Sequence, residues 1–101
     1  MKFRGGLRYG NSYPDAIGVP WPLAQLTVEK DALLISVPWR SFRFPREHIS
    51  RVMKVSGRIA IGVQIEHVIF EHPNFITFWT YKFGDVKKGL EQNGYSFPAH
   101  R

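Results

Sequence analysis

The chain contains no cysteine. That excludes a disulfide framework, thiolate chemistry and the usual cysteine-based zinc sites. Long apolar runs are missing too. The richest, Ile59 to Phe70, is interrupted by Gln64, Glu66 and His67 and is too short to span a bilayer. Met1-Lys2-Phe3-Arg4 begins with charge, but Gly5 to Tyr13 supplies no apolar stretch of the kind a signal peptide needs. These absences point to a cytoplasmic protein, attached at most to a membrane surface. Motifs that carry chemistry are equally scarce. There is no His-Glu-x-x-His helix, no Gly-x-Ser-x-Gly elbow and no phosphate-cradling glycine loop. Ser12, Ser36, Ser41, Ser50 and Ser96 all lie outside a strand-turn-helix context that would expose a nucleophile. No paired carboxylates are placed for glycosidase chemistry, and no cofactor is expected.

What the chain has is aromatic mass and positive charge. Eight Phe, four Tyr and three Trp in 101 residues can close a small single-domain core. The net charge is +6, and it is unevenly placed. Between residues 40 and 58, Arg40, Arg43, Arg46, Arg51, Lys54 and Arg58 face one acid, Glu47. Such a zone concentrates anionic partners, and it also keeps a small protein soluble and guards a sheet edge.

Alternation dominates the middle of the chain. Leu26 and Val28 alternate with Gln25, Thr27 and Glu29. After the Lys30-Asp31 turn, Leu33, Ile35 and Val37 return, which makes a hairpin. Beyond Pro38-Trp39, Phe42 and Phe44 point inward and Arg43 outward. Ile49 to Val55 breaks the alternation, so a bulge is expected there. Ile59, Ile61, Val63, Ile65, His67 and Ile69 share one face of a long strand. In Phe75 to Tyr81 both faces are apolar, which predicts cover on both sides. The expected strands are 23–29, 32–38, 41–44, 49–55, 59–69 and 75–81.

Asp85 offers an N-cap to a helix over 85–93, with Val86 and Leu90 on its buried stripe and Asn93-Gly94 as its stop. Gly89 implies that this helix lies close against a sheet. Residues 1–20 read as an irregular arm, because Gly5-Gly6, Gly10-Asn11, Tyr13-Pro14-Asp15 and Gly18 are all breakers. A short strand near Leu7 to Tyr9 is allowed. Val19-Pro20-Trp21-Pro22 is extended, because each proline restricts its predecessor. Trp21 is expected as a plug over a core opening, with ligand stacking as the sharper alternative.

Three stretches carry a resemblance to a known family. Pro22-Leu23-Ala24-Gln25-Leu26-Thr27-Val28 with its return strand resembles an opening hairpin. Phe44 to Val52, with its Ile-Ser-Arg-Val ending, resembles a polar bend into a fourth strand. Val63-Gln64-Ile65-Glu66-His67, Phe78-Trp79-Thr80 and Leu90-Glu91-Gln92-Asn93-Gly94-Tyr95 resemble a closing third. Over about residues 20–97 the chain resembles the bacterial pleckstrin-homology-like, GRAM-like domains. The resemblance implies a mainly β (α+β) fold: a bent, partly open antiparallel barrel of six to seven strands, capped by one C-terminal helix. On that basis residues 21–101 form the barrel domain. Eukaryotic phosphoinositide-binding members of this superfold carry a long basic first loop and a tryptophan in the final helix. Here the corresponding turn is Lys30-Asp31 and residues 85–93 hold no tryptophan, so that pocket is not carried over.

Two constellations stand out. Glu66-His67 and Glu71-His72 suggest a metal or acid-base cluster. On a continuous strand, however, positions 67 and 72 face opposite ways; a bend before Pro73 could bring them together, but no third ligand is placed by spacing. Hydrogen-bonded structural or surface histidines are the simpler expectation, and no metal residue is assigned. The arginines beside Trp39, Phe42 and Phe44 suggest a basic-aromatic surface. There the aromatics alternate with the arginines and face the other side, which argues against nucleic acid as a partner.

The expected function is a non-catalytic binding or scaffolding module. It would act through protein contact or self-association at a sheet edge. The alternative is peripheral attachment to anionic membrane lipid through Arg40, Arg43, Arg46, Arg51, Lys54 and Arg58. A small histidine- or metal-dependent enzyme at His67 or His72 is the third possibility. No small-molecule ligand can be named.

Overall fold

The computed structural model describes residues 1–11 and 16–97. Seven strands and one helix follow in order: β1 (Lys2–Gly10), β2 (Ile17–Val28), β3 (Ala32–Val37), β4 (Arg40–Pro45), β5 (Ile49–Ser56), β6 (Ile61–His67), β7 (Phe75–Thr80) and α1 (Phe83–Gln92). A single 3-10 turn, Arg46–His48, joins β4 to β5. The sheet order is β4-β3-β2-β1-β7-β6-β5, with antiparallel neighbours throughout. The sheet curls into a half-barrel, and α1 closes it. This is the bent, partly open antiparallel barrel with one C-terminal helix that the resemblance implies.

The core is the inner face of that curl. Leu7, Leu26, Ile35, Phe42, Phe44, Val63, Ile65 and Phe78 are fully buried, and Val86 and Leu90 seal them from the helix. The alternation of β3, β4 and β6 therefore puts its apolar set where a curled sheet excludes water, the main favourable term in such a core. The expected bulge appears as a register shift between Ile49 and Arg51.

Several expectations give way. The arm expected over 1–20 holds a nine-residue strand, β1, at the centre of the sheet between β2 and β7. Gly5-Gly6 is not a breaker there. A Cβ on Gly5 would lie 2.1 Å from the Trp79 carbonyl oxygen and 2.7 Å from the Phe78 ring, so glycine permits the close approach of β7. Tyr13-Pro14-Asp15 lies outside the described residues. The hairpin expected to open the fold is consequently its second, β2–β3. Lys30-Asp31 is then not the first turn of the barrel, and its shortness says nothing about a first-loop pocket.

The long strand expected over 59–69 shortens to Ile61–His67. The Gly57 amide donates to the Ala60 carbonyl at 3.0 Å, which makes Ile59 a turn residue, 81% exposed. Asp85 is not the N-cap. The helix begins at Phe83 with Lys82 in the cap position, and Asp85 sits in the first turn, where a carboxylate favours the helix dipole. The stop at Asn93-Gly94 is as expected, with Gly94 at φ +88°. Gly89 packs against β1, since a Cβ there would meet the Phe3 ring at 2.9 Å. On β7, Ile76, Phe78 and Thr80 are buried inward and Thr77 outward, but the outward face ends in water at Tyr81.

Candidate functional site

An open sheet of this order has two free edges, β4 and β5. Their backbone phase follows from the turns. In an antiparallel ladder, alternate residues direct both N–H and C=O away from the partner strand. On β4 the register Leu34↔Arg43 and Ser36↔Ser41 alternates with Ile35↔Phe42. The Arg43 carbonyl accepts a hydrogen bond from His72 Nε2 at 2.8 Å, so the outward set is Ser41, Arg43 and Pro45. One of these carbonyls is thus occupied, and Pro45 has no N–H to offer. The edge of β4 is blunted, as natural sheet edges commonly are.

The edge of β5 is different. The Gly57-to-Ala60 bond sets the phase, so Val55↔Gly62 and Met53↔Gln64 face β6. Val52, Lys54 and Ser56 then direct their backbone groups outward. Among the described residues, no backbone hydrogen bond joins that outer edge to another element. Beside it lies a cleft of about 370 Å³ lined by Ile49, Val52, Tyr95 and Phe97, with Arg46 and Arg51 at its rim.

The six cations of the basic zone do not share a face. Arg40 lies over the Phe42 ring at 4.5 Å, whereas the Arg43 side chain points away from the core into water. Arg46 belongs to the scaffold. Its guanidinium donates to the carbonyls of Lys30 (3.1 Å), Asn93 (2.8 Å) and Gly94, and stacks 4.7 Å over Tyr95. Arg51 pairs with Glu66 at 2.7 Å on the outer face, and that bond raises its already high pKa. Lys54, on the Val52 side, sits 5.3 Å over Phe83. Arg58 is in the β5–β6 turn.

The two histidines come together, by a bend before Pro73 and not along a continuous strand. The chain leaves β6 at His67 and bends, and the rings stand 6.1 Å apart beside Phe44. Both have structural partners. His67 Nε2 donates to the Pro73 carbonyl at 2.7 Å while its Nδ1 accepts from the Ile69 amide at 3.0 Å, which fixes one neutral tautomer. His72 Nε2 serves Arg43. Among the described residues, no three His, Asp or Glu side chains gather to hold a metal ion.

Trp21 does not plug the core: it is 55% exposed and meets Tyr81, 61% exposed, edge to face at 6.2 Å. The cause is a bulge. Between the pairs Gly5↔Ala24 and Leu7↔Val19, β1 advances two residues and β2 five. Three extra residues therefore leave the ladder in the segment Pro20-Trp21-Pro22-Leu23, where two prolines have no amide to contribute. Pro20 and Pro22 were the available signal.

Among the described residues, no helix is long and apolar enough to cross a membrane. No protein-family model, no curated protein and no solved structure matches the chain.

Proposed function

We propose that this chain is a non-catalytic binding module of the pleckstrin-homology-like kind, which takes an extended segment of another protein along the outer edge of β5. The observation that carries the proposal is the contrast between the two sheet edges. β4 is blunted by His72 and Pro45, while the eight residues of β5 keep the outward groups of Val52, Lys54 and Ser56 unpaired among the described residues. Added strands gain affinity from such main-chain groups and specificity from the side chains beside them.

The neighbouring side chains define the occupant. The cleft beside Ile49 and Phe97 receives an apolar residue, and Lys54 favours an acidic one, while Arg51 is already held by Glu66. A second copy fits less well. Antiparallel pairing centred on Lys54 would set Lys54 against Lys54, and like charges directly opposite are destabilising. The lipid alternative has no common basic face to rest on, given the dispersal of the six cations.

The test uses a blocked seven-residue peptide of alternating valine and glutamate, titrated into labelled protein. Amide shifts concentrated at Val52, Lys54 and Ser56 are expected. The Lys54→Pro variant removes an outward N–H without touching the β6 ladder, so it folds and loses the response. Shifts elsewhere, or an equal response from the proline variant, would refute the proposal. A sedimentation mass that doubles with concentration would assign the edge to self-association instead.

A further inference from the structure

The Trp21 bulge is built to hold an aromatic ring in water. Its prolines keep the segment out of the ladder, and Arg4 Nη1 reaches its base, donating to the Pro22 carbonyl at 3.4 Å. On the far side Tyr81 continues the line of β7, next to β1 in the sheet. Both rings line a cleft of about 340 Å³, edged by Lys2, Arg4 and Lys82 with Asp85 as the only carboxylate among its described lining residues. Two exposed rings and three cations converge on one place. None of these cations belongs to the zone at residues 40–58.

We infer that this cleft binds single-stranded nucleic acid, with a base stacked at Trp21 and Tyr81 and phosphates drawn to Lys2, Arg4 and Lys82. The chemistry is that of sequence-tolerant strand binding: a π-face for any base, and cations spaced along a backbone. Arg4 adds a planar guanidinium suited to phosphate. A free nucleotide is the poorer occupant. Small-ligand pockets enclose most of their ligand, whereas both rings here remain more than half in water. A strand overcomes that by setting several phosphates against the same three cations. The net charge of +6 assists the encounter. Around residues 39–46 the rings of Phe42 and Phe44 are buried, whereas at this cleft Trp21 and Tyr81 are both exposed.

The inference is independent of the β5 proposal and fails separately from it, because Lys54→Pro leaves this cleft intact. The test is fluorescence anisotropy of a labelled twelve-residue oligothymidylate at low salt. Trp21→Ala and Tyr81→Ala each lose roughly tenfold in affinity, with unchanged thermal unfolding because both rings are exposed. Three phosphate contacts give a slope of about −2 in a plot of log affinity against log salt, and Arg4→Gln lowers its size by about 0.7. Arg43→Gln removes equal charge three strands away and changes affinity less than twofold. No binding at low salt would overturn the inference. So would equal losses from Trp21→Ala and Arg43→Gln, or a Trp21-dependent response to anionic phospholipid vesicles and none to the oligonucleotide.

Discussion

The Arg46 guanidinium lies 4.7 Å over the Tyr95 ring and so ties the bend between β4 and β5 to the end of α1. The two residues also share a neighbourhood at the β2–β3 turn, where Arg46 donates to the Lys30 carbonyl and the Tyr95 hydroxyl to the Glu29 carbonyl at 3.0 Å. One corner thus joins two turns and a helix terminus. The carbonyls of Asn93 and Gly94, just past the last turn of α1, find their partners on Arg46.

Arg46→Ala therefore destabilises the fold although the residue is exposed. Charge-assisted bonds at a wet corner, discounted for solvent screening, suggest about 1–2 kcal/mol. Arg46→Lys recovers less than half, because an ammonium cannot address several carbonyls from one plane. Urea unfolding of the three proteins checks both statements. Equal stability of the alanine variant and the parent would contradict them.

Tyr95 makes a prediction about alkaline pH. Burial pushes its pKa above the ordinary 10.0, while the nearby Arg46 charge pulls the other way. The folded state then keeps a phenolic proton that the unfolded chain has released. The stability from this group is fully present below pH 10 and is lost as pH rises through the folded-state value. At neutral pH Tyr95→Phe costs about 1 kcal/mol for the missing hydrogen bond. Above pH 10 the gap between variant and parent should narrow. A gap that stays constant from pH 7 to 11 would count against the account.

Gly5 and Gly18 should behave in opposite ways. Gly5→Ala forces a methyl group to 2.1 Å from the Trp79 carbonyl and parts β1 from β7, with a loss of more than about 3 kcal/mol. Gly18 has open space around its Cβ position, so alanine there is neutral or slightly stabilising, within about 1 kcal/mol. Thermal unfolding of the two variants side by side decides the matter.

How far the sequence disclosed this fold depended on whether the determining contacts were local. Leu33, Ile35, Phe42, Phe44, Val63 and Ile65 announced their burial because alternation is a property of neighbours in the chain. Gly5-Gly6 was misleading because the reason for glycine lies on β7, more than seventy residues away in sequence. Arg46 looked like one member of a basic run, since its partners Asn93 and Gly94 are 47 and 48 residues distant. His67 and His72 met because the chain bends after β6, which strand parity does not include. The open edge of β5 was legible only as a general property of partly open barrels. Which edge is open depends on His72 reaching Arg43.

That asymmetry between the edges is most directly tested by amide hydrogen exchange, read residue by residue in the isolated protein. The amides of Lys54 and Ser56 should exchange rapidly while those of Met53 and Val55, bonded to β6, are protected to near the global unfolding limit. Uniform protection from residue 52 to residue 56 would show that β5 already has a partner on its outer side, and the proposed binding edge would not exist.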